Sequence, residues 1–246
     1  MNKNFWKGKR VLVTGDTGFK GAWLSLVLDM CGAKIQGISS SKYNGNAEFY
    51  SSLELNKISN TVDCDIRNFN EVQSAFRAFD PEIVFHLAAQ PLVRYSYKDP
   101  VTTYEVNVMG TMSILEAVKA SPSVKSAVII TTDKCYENKE WEWGYRENDP
   151  LGGHDPYSSS KACAEILTKS YQKSFFNEAS TSPGLSSVRA GNVIGGGDFS
   201  EDRLIPDLYR SILANKKLLL RNPLATRPWQ HVFEPLSGYL TVAEKL

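Results

Sequence analysis

The stretch from Lys9 to Leu28 restricts the fold of this chain more than any other. The run Lys9-Arg10-Val11-Leu12-Val13 leads into Thr14-Gly15-Asp16-Thr17-Gly18-Phe19-Lys20-Gly21 and then Ala22-Trp23-Leu24-Ser25-Leu26-Val27-Leu28. That is an apolar strand, a glycine-rich turn and a helix. Gly15, Gly18 and Gly21 supply left-handed backbone and room for close approach. A helix N-terminus behind such a turn presents backbone N–H groups to a pyrophosphate. The same glycines suit an ordinary strand–helix turn. Their place after the first strand and at the head of a helix favours dinucleotide binding, with Thr17 and Phe19 inside the turn.

Strands and helices go on alternating. Strands are predicted at Lys34–Ile38, Thr61–Asp65, Glu82–Ala88, Ser126–Thr132 and Leu185–Ala190, and helices at Glu71–Phe79, Val101–Ala120 and Tyr157–Phe176. This βαβ order predicts an α/β fold, a doubly wound parallel sheet with helices on both faces. Met1–Lys7 is expected to lead straight into the first strand. Beyond Gly191 the pattern changes: a turn at Gly195–Asp198, a helix at Leu204–Ala214, a strand at Leu218–Arg221 and a polar stretch at Arg227–Val232. Two units are therefore expected, a dinucleotide-binding domain at 1–190 and a smaller substrate lobe at 191–246. The lobe stops inside a helix-like segment and reads as incomplete.

Charge is balanced at 28 basic against 27 acidic residues, so nothing global steers the chain to nucleic acid or an anionic membrane. Cys31, Cys64, Cys135 and Cys163 show no CxxC spacing, which argues against a metal site or a disulfide framework and for a reducing cytoplasm. No stretch is apolar for long enough to span a bilayer.

The downstream signature is Tyr157-Ser-Ser-Ser-Lys161. On a helix these side chains share a face, and an ammonium beside a phenol favours the phenolate, giving a base of lowered pKa. Between this pair and the glycine turn lies a strand ending Thr131-Thr132-Asp133-Lys134, at the carboxyl end where doubly wound sheets place ligands. Many NAD enzymes hold the ribose with an acid after the second strand. Here that strand runs into Ser39-Ser40-Ser41-Lys42, which suits either a solvated loop or an NADP 2′-phosphate, so NADP is not excluded. Asp65-Ile66-Arg67 is read either as an adenine contact or as a surface ion pair. His86, inside an apolar strand, is expected to be a satisfied core residue.

These motifs, with His86-Leu87-Ala88-Ala89-Gln90, Asn107-Val-Met-Gly-Thr111 and Arg189-Ala-Gly-Asn-Val193, resemble the extended short-chain dehydrogenases/reductases, the NAD-dependent epimerase/dehydratase family of Rossmann fold. Within it, Thr131–Glu137, Arg189–Phe199, Arg203–Asp207 and Arg227–Leu236 are most similar to the 4,6-dehydratases that act on CDP-glucose. The resemblance covers essentially the whole chain, and family members continue past Leu246. It implies a redox-neutral hydro-lyase reaction with NAD as returning catalyst: oxidation at carbon 4, loss of water across carbons 5 and 6, and hydride return to carbon 6. Thr131, Leu87, Ala88, Ala89 and Asn107 would join the glycine turn, Asp65 and Ile66 around the cofactor.

Tyr157 would take the 4-hydroxyl proton beside Thr132 and Lys161. Asp133 would protonate the departing hydroxyl, provided burial raises its pKa. Lys134 stands where related dTDP-sugar enzymes carry glutamate, as base or as enolate-stabilising cation. Arg203, Arg221 and Arg227 are candidates for the substrate pyrophosphate. Asn192, Gln90 and Arg94 are candidates for the phosphate or hexose, and His231 for the base. The partners implied are a small-molecule sugar nucleotide and a second copy in a homodimer built on the long helices, with no nucleic acid or membrane. The pathway implied is surface-polysaccharide or O-antigen synthesis. Two other readings are a sugar-nucleotide epimerase or reductase of this fold and a dinucleotide sensor without turnover. Asp133-Lys134 argues against the first and Tyr157/Lys161 against the second.

Overall fold

A computed structural model describes residues 2–41, 47–177 and 182–246. Lys42, read above as a possible 2′-phosphate ligand, lies outside them. The chain begins not with a strand but with a helical turn, α1 (Lys3–Trp6), capped by the Asn2 side chain. Trp6 is fully buried, which anchors this turn under the sheet.

Six parallel strands follow: β1 (Arg10–Thr14), β2 (Lys34–Ser39), β3 (Ser59–Asp63), β4 (Ile83–His86), β5 (Ser126–Ile130) and β6 (Gly184–Val188). Their order in the sheet is β3-β2-β1-β4-β5-β6, so the direction of winding reverses between β1 and β4. A crevice at the carboxyl ends of the strands opens at that point. β4 and β5 are buried at every position, as continuous apolar strands covered on both faces must be.

The helices are α2 (Phe19–Met30), α3 (Ala47–Ser52), α4 (Phe69–Phe79), α5 (Val93–Lys98), α6 (Pro100–Tyr104), α7 (Gly110–Lys119), α8 (Pro156–Phe175), α9 (Leu204–Leu213) and α10 (Phe233–Lys245). Their limits follow from local chemistry. Asn68 caps α4 by accepting from the Glu71 N–H, and Asp80 ends it at φ 53°, the left-handed region. Asp155 caps α8 through the Ser158 N–H at 2.9 Å, and Pro156 occupies its first turn. The single helix expected over 101–120 is broken by a π turn at Glu105–Met109. The extra residue in that turn accompanies Asn107, which is buried.

Helices α4, α7 and α8 cover one face of the sheet, with Leu12, Val84, Ala127 and Ile129 against Phe76, Ile114, Leu115 and Tyr171. The opposite face packs on α2 and α10: Val11, Val13, Phe85 and Ile130 meet Leu24, Leu28, Leu236, Tyr239 and Leu240. The last helix thus completes the sheet's own core. The Trp6 indole N–H closes this side by donating to Glu244 at 2.7 Å.

Two short strands, β7 (Asn192–Ile194) and β8 (Trp229–His231), pair in parallel as a separate sheet. The sequence predicts neither strand, since Asn192 follows the strand predicted at Leu185–Ala190 and Arg227–Val232 reads as a polar stretch. The strand expected at Leu218–Arg221 is absent. These residues have no partner strand, and Leu219 is 83% exposed, so neither hydrogen bonds nor burial hold them extended.

Candidate active site

Two cavities meet over the crevice, sharing Phe19, Lys20, Leu87, Ala89 and Arg203. The first, of about 620 Å³, runs over the glycine turn. Gly15 has φ +71°, and a Cβ there would stand 2.8 Å from the Ala88 nitrogen. A Cβ on Gly21 would fall onto the Gly15 carbonyl oxygen. Both positions demand glycine because strand, turn and helix touch backbone to backbone. Gly15, Thr17, Gly18, Phe19 and Gly21 line this groove with Asp65, Ile66, Leu87, Ala88 and Ala89. A backbone surface this close to a helix N-terminus fits the pyrophosphate of a dinucleotide.

The Asp65 carboxylate accepts from Arg67 at 2.6 Å, and Arg67 also pairs with Glu105 at 2.9 Å. Asp65 and Arg67 thus form the ion pair that one of the two readings expects, with Asp65 and Ile66 on the wall of the groove.

Asn107 is a correction. It lies in neither cavity lining. Its Oδ1 accepts from the Gln90 N–H at 2.8 Å, and its Nδ2 donates to the Gln90 carbonyl and to Ser160 Oγ. These bonds hold the loop after β4 against α8, so Asn107 shapes the groove from behind. Gln90 lines the groove, while its side chain ties back to Leu92 and Thr103. His86 is a satisfied core residue. Its ring bridges Thr14 at 2.7 Å and Thr111 at 3.0 Å, and burial pushes its pKa down to about 3.

The second cavity, of about 530 Å³, takes in Thr131, Thr132, Asp133, Lys134, Tyr157 and Lys161. The structure brings all five expected catalytic residues together. The Asp133 N–H donates to the Ala190 carbonyl at 3.1 Å, which turns the chain after β5 over the crevice. The Thr132 hydroxyl donates to Asp133 Oδ1 at 3.1 Å and accepts from the Lys134 N–H at 3.3 Å. Tyr157 sits in the first turn of α8, where its N–H donates to Ser96 Oγ at 3.1 Å. Lys161 Nζ reaches the Ile130 carbonyl at 3.4 Å.

The lowered tyrosine pKa expected from its lysine neighbour is not found. Burial raises Tyr157 to about 12, against the opposing pulls of the Thr132 hydroxyl and Arg203. Burial also lowers Lys161 to about 8, while Glu165 holds it up. Lys134 lies below its ordinary value through burial, against the attraction of Asp155 and Asp133.

Two residues escaped the sequence reading. Lys20, inside the glycine turn, is lowered to about 7 by burial and by Lys161 and Arg203, and its amine donates to Tyr239 Oη at 3.3 Å. The sequence signal for it is a charge within a glycine turn. Glu165 is buried one turn after Lys161, where it accepts from Thr131, Ser187 and Arg189. Its spacing from Lys161 was equally visible.

Arg94, Asn192, Arg203, Arg221 and Arg227 line the far side of this cavity. Arg94 and Arg221 converge on Asp202 at 2.7 and 2.9 Å, and Arg203 pairs with Asp198 at 3.0 Å. His231 is the second correction. It lines neither cavity. Parallel pairing of β8 with β7 leaves the ring exposed, edge-on to Phe233 at 5.1 Å and accepting from its N–H. The neighbouring Trp229 lines the cavity instead.

The model of the family described as GDP-mannose 4,6 dehydratase matches residues 12–245. The chain belongs to this family. It is 54% identical over its full length to the CDP-glucose 4,6-dehydratase of Salmonella typhimurium, of which it spans 69%. It is 28% identical to the dTDP-glucose 4,6-dehydratase of Xanthomonas campestris over 95% of this chain and 67% of that one. In structure it is similar to the dTDP-glucose 4,6-dehydratase of Bacillus anthracis solved in complex with NAD. That match has a TM-score of 0.83 and 27% identity, and covers 97% of this chain and 72% of the other. The doubly wound fold and the NAD-dependent dehydratase assignment drawn from the sequence are both borne out.

Proposed function

We propose that the chain is a sugar-nucleotide 4,6-dehydratase that converts CDP-D-glucose to CDP-4-dehydro-6-deoxy-D-glucose. The observation that carries this reading is the convergence of Thr132, Asp133 and Lys134 with Tyr157 and Lys161 on one cavity beside the dinucleotide groove. An oxidation alone needs only the tyrosine pair. A carboxyl group and an amine at the same mouth add what elimination requires, an acid for the leaving hydroxyl and an acceptor for the carbon-5 proton. The identity to the Salmonella relative supports CDP as the nucleotide.

Bound in the groove, NAD⁺ supplies a reversible hydride acceptor and a positive charge that favours an ionised phenol. Tyr157 takes the proton of the 4-hydroxyl, and the Thr132 hydroxyl orients that oxygen. Lys161 supplies a buried amine to the same cavity. Asp133 protonates the 6-hydroxyl as it departs. Lys134, at the same mouth, serves carbon 5 as proton acceptor or as the cation that stabilises the enolate. Arg94, Arg203 and Arg221 receive the sugar nucleotide by exchanging their carboxylate partners for its phosphates, and Arg227, whose guanidinium donates to the Thr226 carbonyl, joins them.

A homodimer through the long helices belongs to the same reading, supported by the exposed apolar side chains Val101, Met109 and Ile166. Among the described residues no helix is long and apolar enough to cross a membrane. A cytoplasmic place and a role in surface-polysaccharide synthesis are consistent with free cysteines and a sugar-nucleotide substrate.

The test is incubation with NAD⁺ and each of CDP-, dTDP-, UDP- and GDP-glucose, with the 4-keto product detected by its absorbance in strong base. Product from CDP-glucose in excess over the others is expected. Product from another nucleotide alone would reassign the substrate.

A further inference from the structure

The acid that many NAD enzymes carry at the end of the second strand is missing here, since β2 ends at Ser39. A carboxylate nevertheless reaches that spot from the first turn. Asp16 is fully buried, with Oδ1 accepting from Ser39 Oγ at 2.7 Å and Oδ2 from Thr61 Oγ1 at 2.5 Å. It lies over Gly37 in the middle of β2, where any Cβ would collide with the carboxylate. Two hydroxyl donors and a glycine that yields its volume make this a built position for a negative charge.

We infer that Asp16, acting through Ser39, gives this chain its preference for NAD over NADP. Ser39 and Ser40 line the dinucleotide groove at its β2 end. A 2′-phosphate bound there needs hydrogen-bond donors and a positive field. The Ser39 hydroxyl proton is committed to Asp16, while its oxygen accepts from the Thr17 N–H at 3.3 Å. The next hydroxyl but one is committed as well: Ser41 donates through Oγ and N–H to the Asp63 carboxylate at 2.6 and 2.8 Å. Two of the three serines that read as a phosphate site in the sequence, Ser39 and Ser41, are thus turned toward carboxylates. A free ribose hydroxyl there keeps both donor and acceptor capacity and carries no charge to be repelled. Asp16 is therefore a positioning residue that sets the proton order and the sign of the field at the groove end.

The inference rests on the groove being the dinucleotide site, so binding rather than turnover is the readout. NAD⁺ and NADP⁺ are titrated by calorimetry into the purified chain and into Asp16→Asn, Asp16→Gly and the double variant Asp16→Gly/Ser39→Asp. The unaltered chain is expected to bind NAD⁺ at least 100-fold more tightly than NADP⁺. Asp16→Asn is expected to shrink that ratio at least tenfold, chiefly by tighter NADP⁺ binding. The double variant, which returns a carboxylate to the end of β2, is expected to restore it relative to Asp16→Gly. Equal affinity of the unaltered chain for the two dinucleotides, or an unchanged ratio in Asp16→Asn, would overturn the inference. If Asp16→Asn does not fold, a double variant no more selective than Asp16→Gly would do the same. Failure of the unaltered chain to bind either dinucleotide would instead reject the site assignment itself.

Discussion

The two ends of the crevice are built by different means. At the dinucleotide end, backbone packs on backbone. Gly15 and Gly21 leave no room for a side chain, and Asp16, Thr14 and His86 are buried with their polar atoms bonded. At the far end the wall is side chains. Arg94, Arg203 and Arg221 are held by Asp198 and Asp202, while Leu219 and Leu220 are 83% and 50% exposed. The first end is a rigid cradle whose shape is set by the main chain. The second is a set of exchangeable ion pairs, each of small net worth when exposed. Changes at the first end should therefore cost stability, and changes at the second should cost substrate affinity.

Tyr157, between the two ends, should show the largest effect. Tyr157→Phe should lower kcat by about 10³-fold or more while leaving dinucleotide binding within a factor of about two, measured by steady-state assay and calorimetry. Gly21→Ala sharpens the contrast, since its methyl meets the Gly15 carbonyl. A loss of about 2–4 kcal/mol in denaturant unfolding is expected. Arg221→Ala should raise KM for CDP-glucose about tenfold and change unfolding by less than about 1 kcal/mol. A large stability loss in Arg221→Ala would show instead that the far-end ion pairs hold the fold.

The smallest effect concerns His86 beneath the cradle. Its pKa is about 3 in the folded chain and about 6.5 when unfolded. Between these values the unfolded state binds more protons, so this contribution is complete above about pH 6.5 and is lost as pH falls. The loss should approach about 1 kcal/mol by pH 5.5. Unfolding curves of His86→Gln against pH should be flatter than those of the unaltered chain by that amount.

The cradle was legible because glycine spacing and apolar strands report local backbone geometry, which sequence encodes within a few residues. The tyrosine pair and the Thr132–Lys134 turn were legible for the same reason, each lying at the end of one periodic element. Asn107 and His231 were misplaced because their directions depend on tertiary partners. A π turn aims Asn107 at Gln90, and pairing of β8 with β7 turns His231 outward. The short β7–β8 sheet and the return of α10 to the core left little trace, since strands of three residues carry no period. The depressed tyrosine pKa failed because spacing shows a neighbouring amine but not the burial that outweighs it.

One cavity carries separate groups for oxidation and for elimination. Asp133→Asn, mixed with CDP-glucose and NAD⁺ at enzyme concentrations above those of substrate, tests it by following reduced nicotinamide absorbance and the 4-keto-6-deoxy product together. Reduced nicotinamide without product is expected. Product formed at the unaltered rate would contradict this separation of roles.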